Sequence, residues 1–77
     1  MPRSLWPGDL LRLHDRMYGL NPGLYVVSDF PFGFVELRAT WRNEDGRLSP
    51  TAAVHRLTWQ EIEHRLFERV GNLLNEG

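Results

Sequence analysis

Hydrophobic positions along this chain follow two different periods. From Leu24 to Arg42 they recur largely every second residue, and from Leu57 onward every third or fourth. Leu24-Tyr25-Val26-Val27-Ser28 follows the turn chemistry of Asn21-Pro22-Gly23 and predicts a strand. From Phe34 to Arg42 the alternation continues. Val35, Leu37, Ala39 and Trp41 point one way, and Phe34, Glu36, Arg38, Thr40 and Arg42 the other. Asp29-Phe30-Pro31-Phe32-Gly33 is short enough to be the hairpin connection between these two strands. Asn43-Glu44-Asp45-Gly46 predicts a turn, followed by a strand over about Ala52–Leu57, with Pro50 keeping its start off a central ladder position. Asp9–Tyr18 supports two readings. As a strand, Leu11 and Leu13 alternate with Arg12 and His14. As a helix, Asp9 is the cap, and Leu10, Leu13, His14 and Met17 share a face. We take the strand, because it completes a meander of four or five strands and supplies an edge for Leu24–Ser28.

The last third predicts a helix. Thr58-Trp59-Gln60-Glu61 has the capping-box form, and Leu57 and Ile62 stand at the positions of a hydrophobic staple. Trp59, Ile62, Leu66, Phe67, Val70, Leu73 and Leu74 make an apolar stripe, opposite Glu61, His64, Arg65, Glu68 and Arg69. The spacing predicts an amphipathic helix over about 59–74, roughly 24 Å long. Gly71 costs about 1 kcal/mol inside it and frays its last turn. The expected fold class is α+β: a small antiparallel sheet or partial barrel of four to five strands with a C-terminal amphipathic helix. Residues 1–77 form one domain, β-rich over about 7–57 and helical over about 58–75.

Four segments resemble an SH3-like small barrel: Pro7-Gly8-Asp9-Leu10-Leu11-Arg12-Leu13, Gly23-Leu24-Tyr25-Val26-Val27, Phe34-Val35-Glu36-Leu37 and Ala53-Val54-His55. The resemblance covers about residues 7–57. Such barrels often finish with a fifth strand, where this chain is expected to carry its helix. They serve peptide binding, RNA binding and subunit assembly alike, so the resemblance implies an architecture and no single function.

Composition narrows the picture. With 77 residues and no cysteine, the chain has neither disulfides nor thiolate metal sites. No apolar run approaches the roughly 18–20 residues of a membrane-spanning helix, and the first residues lack a signal-peptide core, so a cytoplasmic protein is expected. Nine aromatic residues argue against disorder. A domain this small buries only about 60% of its unfolded surface, so it depends on tight aromatic packing or on a partner. The net charge of -1 excludes a polybasic nucleic-acid arm. All nine basic residues are arginine, planar forks suited to carboxylates, phosphates and rings.

Candidate chemistry is sparse. His14, His55 and His64 fall on different elements, so no metal site is expected. No glycine-framed serine is present, and Gly19-Leu20-Asn21-Pro22-Gly23 has proline where a phosphate loop needs N–H groups. His14 with Asp15, or His55 with Glu36, are the pairs that could meet in space. We expect no catalytic residue, no cofactor and no enzymatic activity.

Two binding readings remain. The first is a small adaptor or regulatory module for a protein partner. It rests on Phe30-Pro31-Phe32-Gly33-Phe34, which sets three aromatics around a proline, and on Trp6 near the N-terminus. Trp6, Phe30 and Phe32 are its contact residues, with Arg38 and Arg42 at the rim. Leu73 and Leu74, at the far end of the expected helix, are the candidates for self-association. The plainer alternative lets Phe30 and Phe34 close the two ends of the core and leaves Phe32 outside. The second reading is single-stranded RNA or DNA binding through Arg12, Tyr25, Arg38, Trp41 and Arg42, with phosphates on arginine and bases on rings. Glu36, Glu44 and Asp45 dilute that face.

Overall fold

Leu11, Leu13, Tyr25, Val27, Val35 and Leu37 meet on one face of a single antiparallel sheet. The structure, a computed structural model, describes residues 5–63 and 67–73. Its strands are β1 (Asp9–Leu13), β2 (Gly23–Asp29), β3 (Val35–Arg42), β4 (Leu48–Leu57) and β5 (Phe67–Asn72), and a single helix turn, α1 (Trp59–Glu63), lies between β4 and β5. The order across the sheet is β4-β3-β2-β1-β5, so β4 and β5 are edges and the sheet is not closed. The strand reading holds for Asp9–Leu13. Leu10 and Val26, on the opposite face, are also buried. Burial on both sides fits the central positions of β1 and β2.

The turns form where their residues require them. Asn43 Oδ1 accepts the Asp45 and Arg47 N–H groups, both at 3.0 Å, and Gly46 takes a φ of 79°. Met17 and Leu20 exchange both backbone hydrogen bonds across Tyr18-Gly19, which have φ values of 51° and 76°. That is the two-residue turn with both central residues left-handed.

The C-terminal helix over 59–74 does not form, and the domain is largely all-β rather than α+β. The expected cap does form: Thr58 N–H donates to Glu61 Oε1 at 2.8 Å, and Glu61 N–H to Thr58 Oγ1 at 3.1 Å. Leu57 and Ile62, the staple pair, are both buried. Yet α1 ends at Glu63, and Phe67–Asn72 pairs with β1 as the fifth strand. A central strand with apolar residues on both faces cannot leave its second row of N–H and C=O groups unpaired. Pairing satisfies that row, whereas a helix lying over the sheet would not. Gly71 sits where the β1–β5 register shifts between Leu10 and Leu11, a site that tolerates glycine better than a helix interior does. Leu73 follows the strand, half-buried, with its N–H bonded to Gly8 O at 2.7 Å. It is therefore not on a helix stripe available for self-association. Leu74 lies outside the described residues.

Because α1 is so short, its cap carries much of its local stability. Thr58→Ala is expected to lower unfolding free energy by about 1 kcal/mol, read as a shift of the urea midpoint at unchanged slope. An unchanged midpoint would mean that Ile62 packing alone holds α1.

Candidate functional site

The β2–β3 connection carries an aromatic cluster at one end of the sheet. The Phe30 ring stacks on Trp59 of α1, with centroids 5.4 Å apart and planes 8° apart, and the pair packs half-buried against the core. Pro31–Gly33 makes one 3-10 turn, closed by Phe34 N–H donating to Pro31 O at 2.8 Å. Within it Phe32 has a φ of 51° and Gly33 a φ of 83°. Phe32 is 97% exposed and Phe34 42% exposed. An L-residue in the left-handed region costs about 1–2 kcal/mol, and Phe32 gains no burial in return.

Trp6 belongs to the same end. Gly8 N–H donates to Val27 O at 2.7 Å, which lays the segment before β1 beside the end of β2. Trp6 is 69% exposed. Of the residues expected to contact a protein, Trp6, Phe30 and Phe32 thus come to one end. Phe30 forms its floor, and Trp6 and Phe32 stand out.

The segment carrying Trp6 is fastened by a buried carboxylate. Asp9 is fully buried at the head of β1. Its Oδ2 accepts the Trp6 N–H at 2.8 Å, and its Oδ1 the Asn72 Nδ2 at 2.7 Å. Arg69 of β5 straddles both oxygens, with Nε to Oδ2 and Nη2 to Oδ1, each 3.2 Å. Burial works against the charged carboxylate, but the hydrogen bonds from Arg69, Asn72 and Trp6, together with the Arg69 charge, outweigh it. The net effect holds the Asp9 pKa below its ordinary value. Asn72 Nδ2 also reaches Pro7 O at 3.3 Å. Sequence reasoning placed Arg69 on a polar helix face and gave Asp9 no partner. The legible signal was a lone aspartate before an apolar strand.

The residues of the nucleic-acid reading divide between two faces. Alternation along the paired strands puts Arg12, Arg38 and Arg42 on the face of Leu10 and Val26, whereas Tyr25 and Trp41 lie on the core face. Tyr25 is buried, with its hydroxyl donated to Asn21 O at 2.6 Å, and burial raises its pKa despite that bond. Trp41 is 53% exposed. Arg38 donates to Thr51 O at 3.3 Å and Arg42 to Gly46 O. Glu36 lies across from Arg56, 3.4 Å from its Nε, and accepts the Ser28 hydroxyl at 2.9 Å. The cross-strand partner of Glu36 is therefore Arg56.

Two of the surface hollows are lined by described residues. One of about 260 Å³ is lined by Pro7, Val26, Arg38, Pro50 and Leu73. The other, about 340 Å³, lies between the β1–β2 loop and Tyr25, Ala39, Ala53 and His55. Neither histidine pair foreseen as a catalytic couple forms. His14 Nε2 is 3.3 Å from Glu68 Oε2, and the His55 ring meets the Tyr25 ring edge-on at 6.1 Å. His64 lies outside the described residues. Among those residues no three histidine, aspartate or glutamate side chains cluster as metal ligands, and no helix is long and apolar enough to cross a membrane. No protein-family model, no curated protein and no solved structure matches the chain.

Proposed function

We propose that this protein is a non-enzymatic binding module that docks a protein partner through the aromatic end of its sheet. The observation that carries the reading is Phe32: a large apolar ring, almost wholly exposed, held out on a left-handed backbone position. An exposed ring on a strained turn is a feature for which the fold itself has no use. Trp6 and Phe34 widen the patch, and the Phe30–Trp59 stack gives it a rigid floor. Exposed aromatics of this kind are the usual anchors of protein interfaces. The strand order, with the last strand beside the first, supports assigning an SH3-like architecture to the module. That likeness bears on shape alone.

A tagged capture from the source cells, run with and without nuclease, tests the proposal. We expect a protein that survives nuclease and is lost with Phe32→Ala at unchanged circular dichroism. Recovery of nucleic acid, with its companion proteins lost on nuclease treatment and with steep weakening by salt, would overturn the reading in favour of nucleic-acid binding.

A further inference from the structure

We propose that the segment captured at this end is positively charged: an arginine- or lysine-bearing stretch of a partner protein. The inference rests on the aromatic docking reading and names the chemistry of its partner. The patch is bordered by carboxylates. Asp29 is exposed immediately before Phe30, and its Oδ1 holds the Phe30 N–H at 2.8 Å. Glu63 follows Trp59 by one turn of α1 and so neighbours it on the helix surface. Neither Asp29 nor Glu63 forms an ion pair among the described residues.

Described cations near this end already have carboxylate partners. Arg56 lies against Glu36, and Arg69 against Asp9. Across residues 58–77 the sequence carries four glutamates against two arginines. A guanidinium or ammonium group entering here meets carboxylates that have no ion-pair partner among the described residues, together with exposed ring faces, and both attract it. Phosphates meet repulsion, so the same border disfavours a nucleic acid at this end.

Nuclear magnetic resonance titration of the labelled full chain decides the matter. The probes are a short peptide alternating arginine with leucine, its counterpart with glutamate in place of arginine, and a thymidine oligonucleotide. The arginine peptide is expected to perturb the Trp6 and Trp59 indole signals and the Phe32 and Gly33 amides, and to bind at least about tenfold more tightly than the glutamate peptide. Raising the salt should weaken it. Asp29→Asn with Glu63→Gln should narrow the preference severalfold while the same resonances still move.

Equal or tighter binding of the glutamate peptide at these resonances would overturn the charge assignment and leave aromatic docking standing. If neither peptide moved this end, both would fall. Perturbation of the same signals by the oligonucleotide would also overturn the proposal.

Discussion

Asp9→Ala is expected to cost on the order of 3 kcal/mol, a large share of the stability of so small a domain. Removing one member of a buried, hydrogen-bonded ion pair typically costs about 3–5 kcal/mol. The lower end applies here, because the Arg69 side chain is half-exposed and can turn to water. The Trp6 N–H loses its side-chain acceptor, and Asn72 Nδ2 loses its 2.7 Å bond to Oδ1. A buried donor left unsatisfied costs about 1–3 kcal/mol, a cost already contained in that figure. Urea unfolding followed by tryptophan fluorescence measures the loss. A change below about 1 kcal/mol would show that β5 is held by its backbone ladder alone.

The same carboxylate makes stability depend on pH in a known direction. Because the folded-state pKa of Asp9 is depressed, its contribution is fully present above the unfolded-state value, near 3.9. It is lost as pH falls through the folded-state value. The stability gap between the wild type and Asp9→Asn should be level near neutrality and close below about pH 4. A gap that widened on acidification would contradict the arrangement around Asp9.

Phe32→Gly is expected to separate folding from binding. Glycine accepts the left-handed backbone without strain, so stability should stay level or rise by up to about 1 kcal/mol. Partner binding should fall by about 2 kcal/mol or more, roughly thirtyfold, as for other central aromatic anchors. Calorimetric titration with the captured partner and thermal unfolding of both proteins measure the two effects. A marked loss of stability would make Phe32 a structural residue and remove the central support for the docking proposal. Unchanged affinity would do the same.

Tyr18-Gly19 and Phe32-Gly33 share a signal that local reading overlooked. In each, an aromatic residue precedes a glycine, and both residues adopt positive φ. Glycine in a tight connection predicts that conformation for itself; that it extends one residue back depends on how the flanking strands approach. For Tyr18 the exchange of hydrogen bonds between Met17 and Leu20 requires it. For Phe32 it follows from the turn that brings Phe34 N–H onto Pro31 O. The aromatic loop was therefore readable as a candidate contact, whereas the division of labour within it was not. Phe30 as floor and Phe32 as projection depend on Trp59, which is distant in sequence.

Sequence by itself determined β2, β3, the Asn43–Gly46 turn and the Thr58–Glu61 cap, because each depends on neighbours within a few residues. Alternation selects a strand, and side-chain oxygens close the turn and the helix start. Tertiary structure alone decided the fate of residues 67–73. Their three- and four-residue spacing suits a helix on local grounds, but β1 needs a partner along its free edge, and Asp9 needs Arg69 and Asn72 around its buried charge. Those demands come from the far end of the chain, through backbone pairing and a carboxylate that cannot remain unsolvated. They outweigh a helical preference that Gly71 had already weakened.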